Sequence, residues 1–331
     1  MATAGPRVEC DKVRLAGRQP LLNAMNDSFR VMPPVLVTGA NGQVGFELTR
    51  SLQGLGPIVA LDRSRLDLAD LDQIRRVVRD VGPAVIVNAA AYTAVDRAES
   101  DEASAQRING DAPGVLAEEA RRAGALLVHY STDYVFDGHG DQPFREDDAT
   151  CPLNVYGRTK LAGEQAIAAV GCDYLVFRTS WVYGATGKNF LLTMLRLARE
   201  RDELSVVADQ TGAPTWSGTI AALTGHILAR YCADRIGRRD WWSEHTGIYH
   251  LTNGGEASWY HFAEAIFTHA GCDGIAVHPI TSDRYPTPAA RPRNSRLSND
   301  KLFRVFGLRA PSWEDALARC MQETAFVRPA A

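Results

Sequence analysis

The sequence predicts an α/β protein built on a doubly wound parallel sheet of the Rossmann type, followed by a smaller C-terminal α+β domain. Two observations carry that expectation. From residue 35 onward, short runs of Val, Ile and Leu alternate with helical patterns, as expected of parallel strands covered on both faces by crossover helices. The first run, Val35 to Thr38, passes into a turn with glycines at 39, 42 and 45 and then a helical stretch. That strand-turn-helix order directs free N–H groups and the positive end of a helix dipole at a phosphate. At 331 residues the chain exceeds one average domain. The larger domain is expected at 34–185, completed by segments returning from the C-terminal half, and the smaller one mainly at 186–331.

Taken in order, residues 1–33 mix charge, Gly and Pro with short apolar pairs and lack the continuous apolar core of a secretory signal. They read as a disordered tail, and Met25 and Met32 leave open a start codon assigned too far upstream. Strands follow at Val35 to Thr38, Ile58 to Leu61, Ala84 to Asn88, Leu126 to Tyr130 and Tyr174 to Arg178. Helices fill the gaps near 43–54, 70–81, 103–123 and 156–169. Beyond Tyr183 the pattern is less regular, with an apolar helix to about Arg199, helices at Gly218 to Ala229 and Trp259 to Ala270, and strands at Leu204 to Ala208 and Gly247 to Leu251.

Composition narrows the function. A net charge of −3 with acids and bases nearly matched gives no electrostatic footprint for nucleic acid, and no basic run suggests a membrane surface. No apolar run approaches the roughly 18 residues that span a bilayer. The six cysteines are scattered without a C-x-x-C pair, which reads as reduced thiols in a cytoplasmic protein with neither a disulfide framework nor a zinc site. The eight histidines show no metal-binding spacing, and His261 and His269 are too far apart to chelate together.

Chemistry concentrates in Asn154-Val155-Tyr156-Gly157-Arg158-Thr159-Lys160. On a helix, Tyr156 and Lys160 share a face, and a cation within roughly 4 to 6 Å of a phenol lowers its pKa towards the range useful for proton transfer. A Tyr and a Lys four apart also occur on ordinary solvated helices. At the end of the second strand Asp62 can accept from the hydroxyls of an NAD ribose, whereas Arg63 suits the 2′-phosphate of NADP, so dual use tilted slightly towards NADPH is expected. The small side chains of Asn88 to Ala91 would let backbone pack against a flat cofactor. Tyr130 to Asp133 ends the next strand at the same edge, where either Ser131 or Thr132 could hydrogen-bond a substrate oxygen. Trp181 reads as a sugar-stacking platform or as core. Arg291, Arg293 and Arg296 offer planar donors to a diphosphate, or simply a solvated basic loop.

The glycine turn and the Tyr-Lys pair, with the runs Val87 to Asp96, His129 to Phe136, Pro152 to Gly157, Arg178 to Tyr183, Asp209 to Thr215 and Tyr285 to Pro288, resemble the extended short-chain dehydrogenase/reductases. More narrowly they are similar to the family that reduces dTDP-4-dehydrorhamnose. The resemblance runs from about Val35 to Glu314. It implies an NADPH or NADH cofactor held by Gly39, Asn41, Gly42, Gln43, Val44 and Gly45, with Asp62, Arg63, Asp67 and Leu68 at the adenosine. Ala90, Ala91, Tyr92, Thr93 and Tyr130, together with Tyr156 and Lys160, would line its other half. It further implies catalysis by Tyr156, Lys160 and Thr132, and a dTDP-sugar substrate contacted by Thr132, Asp133, Tyr156, Trp181, Asn189, Gln210 and Arg291. Asn109 matches a residue that holds a structural water in the wider family. Glu47 matches a position that contributes to a Mg²⁺-bridged dimer in some members, so the chain is expected to be a monomer or a homodimer. Three rivals share the scaffold. A dehydratase would need Glu where this chain has Tyr134; a 4-epimerase would retain its cofactor through turnover; and a non-catalytic regulatory subunit could keep nucleotide binding alone.

Overall fold

Six strands make the central sheet: β1 (Val35–Thr38), β2 (Ile58–Leu61), β3 (Val85–Asn88), β4 (Leu126–Thr132), β5 (Tyr174–Thr179) and β6 (Gly247–His250). Their order is β6-β5-β4-β3-β1-β2, and every pairing is parallel. The computed structural model describes residues 33–327 except 235–238 and 273. The expected tail at 1–33 therefore lies outside the described residues, Pro33 apart. From Pro33 onward the chain is one compact unit by its contacts.

The eight longer helices are α1 (Gln43–Ser51), α2 (Leu71–Val81), α3 (Ala112–Ala123), α4 (Val155–Val170), α5 (Phe190–Leu197), α6 (Ser217–Asp234), α7 (Trp259–Ala270) and α8 (Trp313–Val327). Alternation along the strands decides which of them covers which face. Val35, Val37, Val85, Val87, Val128 and Phe177 pack under α1 and α6 through Leu48, Ile220 and Ile227. Leu36, Ile86, Leu127 and Val176 point the other way, onto Ile74 of α2, Leu116 of α3 and Ile167 of α4. Burying each such side chain contributes roughly 1.5 to 3 kcal/mol, so a strand sandwiched on both faces has no polar side to betray it. A third core gathers Leu191 and Leu195 of α5, Phe262 and Ile266 of α7 and Leu317 of α8 against the pair 203–207 and 276–280.

Caps fix the helix ends. Asp70 accepts from the Gln73 amide, Asn154 from Gly157 and Ser258 from His261, while Gly82, Gly124, Gly171 and Gly271 close helices in the left-handed conformation. The helix expected at 103–123 is broken into Glu102–Gln106, a π-helical segment Arg107–Asp111, and α3. The extra residue in the π turn brings the Asn109 carbonyl against Gly163 of α4, where a Cβ would overlap it. The helices at Arg239–Glu244, Asp300–Phe306 and Trp313–Val327, and the strand at Ala276–Ile280, were not foreseen. Among the described residues no helix is long and apolar enough to cross a membrane.

Candidate active site

A cavity of about 970 Å³ opens at the C-terminal edge of β1, β3 and β4, at the point where strand order reverses and open α/β sheets hold ligands. Its floor at one end is the glycine turn. Gly39 has φ +67°, and a Cβ there would meet the Ala90 backbone at 2.8 Å; a Cβ at Gly45 would overlap the Gly39 carbonyl. Gly42 caps α1 in an extended conformation with no side-chain hydrogen bond to its amides, so the first-turn N–H groups are left for an anion. Gly39, Asn41, Gly42, Gln43 and Val44 line the cavity; Gly45 acts from behind by letting α1 pack on the turn.

Beside the turn, Asp62 accepts from Asn41 Nδ2 at 2.9 Å and from Ser64 Oγ at 2.7 Å. The Ser64 hydroxyl, more than any other neighbour, holds the Asp62 carboxyl below its usual value. Arg63 is exposed and pairs loosely with Asp67 at 3.5 Å. Both line the cavity with Leu68, as do Ala90, Ala91, Tyr92 and Thr93 along the opposite wall. Asn109 pins that wall: its Oδ1 accepts from the Tyr92 amide at 2.8 Å, and its Nδ2 donates to the Tyr92 carbonyl at 3.0 Å.

Tyr156 and Lys160 enter from the first turns of α4. Asn154 holds that helix start by capping it and by donating to the Ala290 carbonyl at 2.8 Å. A buried bidentate pair, Arg178 to Glu164, ties the helix to β5 with contacts of 2.7 and 3.0 Å. Burial pushes the Tyr156 phenol well above its usual pKa, the Asp133 carboxylate adds to the rise, and a hydrogen bond with Thr132 opposes it. Here the geometry departs from the sequence reading. The Lys160 ammonium was expected to lower that phenol, yet its Nζ bonds inward, to the Tyr130 carbonyl at 2.6 Å and His129 Nε2 at 3.1 Å. Helical spacing puts both side chains on one cleft wall but does not aim one at the other.

Thr132 is the hydroxyl beside the phenol. It donates to Asp133 Oδ1 at 3.0 Å and accepts from the Tyr134 amide at 3.2 Å. The Ser131 hydroxyl lines the same cavity, buried and without a protein partner. Burial raises Asp133 to about 6, against hydrogen bonds from Ser295 and Thr132. Trp181 forms part of the far wall, stacked on Trp259 at 3.7 Å and 12°. Three expected substrate residues lie off the cavity wall. Asn189 caps α5 and donates to Gln43 Oε1 at 2.9 Å; Gln210 accepts from Trp259 Nε1 at 3.2 Å; and Arg291 pairs with Asp96 at 2.8 Å.

A family model of the RmlD substrate binding domain matches residues 32–326. A Burkholderia thailandensis dTDP-4-dehydrorhamnose reductase is 51% identical over 296 residues, covering 87% of this chain and 98% of the relative. The chain belongs to the dTDP-4-dehydrorhamnose reductase family. Another relative, the dTDP-4-dehydrorhamnose reductase of Escherichia coli K12, is 44% identical over 87% of this chain and 97% of its own length. The solved structure of the Bacillus anthracis dTDP-4-dehydrorhamnose reductase in complex with NADP superposes with a TM-score of 0.81 at 36% identity, covering 88% of this chain and 99% of that one. A Thermus thermophilus UDP-glucose 4-epimerase complex with NAD shares the fold at 20% identity and a TM-score of 0.72.

In this member of the dTDP-4-dehydrorhamnose reductase family, Glu47 is nearly buried on α1, 3.7 Å from Arg50, and its carboxyl is raised by burial and by Glu323. Among the described residues no three His, Cys, Asp or Glu side chains converge as a metal site. Sequence reasoning missed several cavity residues, among them Ser180 and Lys188 on the β5 side. It also passed over Thr38 and His129 beneath the floor. None carries a local spacing signal, because each reaches the site through the sheet or a loop.

Proposed function

We propose that the chain is an NAD(P)H-dependent reductase that converts the C4 ketone of dTDP-4-dehydro-L-rhamnose to the hydroxyl of dTDP-L-rhamnose. The observation that carries this reading is a half-buried phenol at Tyr156, raised above its usual pKa and so protonated, in the same cavity as Thr132 and an uncapped glycine turn. The residues present fit a dinucleotide: a Cβ would fill the cradle at Gly39, and the Ser131 hydroxyl is a buried donor aimed into the space above it. When bound, the nicotinamide supplies the hydride. The chain's own groups do the rest. The α1 amides hold the diphosphate, and Asp62 and Arg63 meet the ribose hydroxyls or a 2′-phosphate. Thr132 turns its one O–H from Asp133 to the ketone oxygen, while Tyr156, kept protonated by its raised pKa, gives that oxygen a proton as negative charge develops there. Lys160 borders the ribose. Trp181 offers a flat wall to the sugar ring, and Asn189, Gln210 and Arg291 support the substrate side at one remove. The cleft lies between a dinucleotide-binding part, 34–185 with returning strands, and a sugar-binding part, mainly 186–331. Dependence on a reduced nicotinamide suits a cytoplasmic location.

Tyr134 occupies the place where a dehydratase would carry its acid, which favours reduction over elimination. Tyr156→Phe tests the reading, because Phe keeps the edge contact with Tyr134 (5.6 Å between centroids) and removes only the hydroxyl. Turnover of dTDP-4-dehydrorhamnose should fall by roughly 10² to 10⁴ with thermal stability unchanged. NADPH consumed one for one with product, assigned by NMR, separates reductase from epimerase, and wild-type rates in the Phe variant would end the proposal.

A further inference from the structure

The loop 184–189 runs from the two-residue strand Val182–Tyr183 to the start of α5, and one side chain shapes it. Asn189 Oδ1 accepts from the Leu192 amide at 3.0 Å, while its Nδ2 lies 2.9 Å from the Gly184 carbonyl, 3.1 Å from the Thr186 carbonyl and 2.9 Å from Gln43 Oε1. Gln43 is the first residue of α1, so the loop is seated on the same turn whose amides carry no side-chain cap. Gly187 completes the fit. Its φ of +79° suits glycine, and a Cβ there would press on Gln43 Cγ at 3.2 Å.

Between Gly187 and Asn189 stands Lys188, exposed and on the cavity wall with Asn41, Gly42, Gln43 and Val44. Three cations line that cavity. Arg63 is paired with Asp67, and Lys160 is bonded inward to Tyr130 and His129. Lys188 alone of the three has no hydrogen bond or ion pair among the described residues. The acids of the wall are engaged elsewhere: Asp62 with Asn41 and Ser64, Asp67 with Arg63, and Asp133 with Thr132. An unpaired ammonium and the positive end of α1 thus border one space with no negative charge assigned to it, an arrangement that an entering anion relieves. We propose that Lys188 is the counter-ion of the cofactor diphosphate, supplied from the sugar-binding part of the chain, so that the α1 amides and this ammonium meet one anion from two sides.

The reaction brings a second diphosphate, that of the dTDP-sugar. The seat of the loop on Gln43 decides between the two, because Gln43 opens α1 and a substrate diphosphate has no place at the glycine turn once the cofactor fills it. NADPH and NADH share the diphosphate, so the contact favours both equally and leaves the choice between them to Asp62 and Arg63. It also ties cofactor binding to the far part of the molecule. The loop ends at the cap of α5, whose Leu191 and Leu195 belong to the third core with Phe262 and Leu317. The inference rests on the reading of the glycine turn as a dinucleotide cradle, and its test separates failure of one from failure of the other.

Equilibrium binding to the full chain, without sugar and without turnover, is the readout. Nicotinamide fluorescence gives Kd for NADPH and NADH, and calorimetry gives Kd for ADP-ribose, which has the diphosphate but no nicotinamide. Lys188→Gln should weaken all three by a similar factor, roughly three- to tenfold, and should flatten the dependence of binding on salt. Lys188→Arg should restore most of the affinity. The side chain is exposed and unpartnered, so both variants should melt as the wild type does. Unchanged affinity in the Gln variant overturns the proposal. So does a loss confined to NADPH, which assigns the lysine to the 2′-phosphate, or a loss that appears only as a raised KM for the dTDP-sugar. Wild-type protein that binds neither NADPH nor ADP-ribose would end the dinucleotide reading itself, and this proposal with it.

Discussion

Trp181 is the sole non-glycine at positive φ among the described residues, at 48°, a conformation that costs of order 1 to 3 kcal/mol unless its surroundings enforce it. They do: its carbonyl accepts from the Thr215 amide at 3.1 Å, its ring lies flat on Trp259, and Gly212 leaves room for it, since a Cβ there would stand 2.6 Å from the indole. Trp181→Ala should raise KM for the dTDP-sugar roughly three- to tenfold through the lost face, at about 0.5 to 1.5 kcal/mol, with kcat little changed. Steady-state kinetics would check it. Lys160 gives a pH signature of its own. Its folded value, about 8, lies below the ordinary lysine value of 10.5 because burial disfavours the charged form, so between those pH values the unfolded chain binds the extra proton and stability rises with pH. Thermal melts from pH 7.5 to 10 should show that gain, and Lys160→Met should remove it. Tyr156, Lys160 and Thr132 were legible because the signal is local, four residues on a helix or the end of one strand. Thr38, Asn88 and His129 were not, because they meet only through the register of three strands that lie up to 91 residues apart by number, from 38 to 129.

The elements that read most clearly are those whose context is simple. β1 and β2 fall where the apolar runs put them: β1 is buried on both faces and cannot alternate, and the edge strand β2 is apolar throughout though only partly buried. The glycine turn is equally plain, and its geometry sharpens the reason for each glycine. Gly39→Ala combines a left-handed backbone with a collision against the Ala90 backbone. It should destabilise the protein by about 1 to 3 kcal/mol and abolish saturable NADPH binding, measured by melting and by cofactor fluorescence. What escaped the pattern was decided by distant partners. The two-residue strands Thr211–Gly212, Ala257–Ser258 and Asn294–Ser295 form a sheet of their own and are too short to show any period. The break at Arg107–Asp111 answers to the approach of α4 at Gly163, about which residues 103–123 carry no hint.

At the scale of the whole molecule, the sheet is not built from one continuous stretch. β6 joins the edge of β5 from more than sixty residues downstream, pairing Gly247 with Leu175 and His250 with Arg178, and α6 covers one face beside α1. A chain ending at residue 234 keeps α1 and α6 but lacks that strand and leaves the β5 edge open. Such a fragment should show neither a cooperative melt nor NADPH affinity, as circular dichroism and equilibrium titration would reveal. The same connectivity sets a schedule for synthesis. A nascent chain that has just released Tyr156 and Lys160 from the ribosome already holds the chemistry, yet it has an unpaired, sticky margin until the last quarter emerges. At about 5 to 20 residues per second, the β5 edge stays unpaired for seconds before β6 arrives.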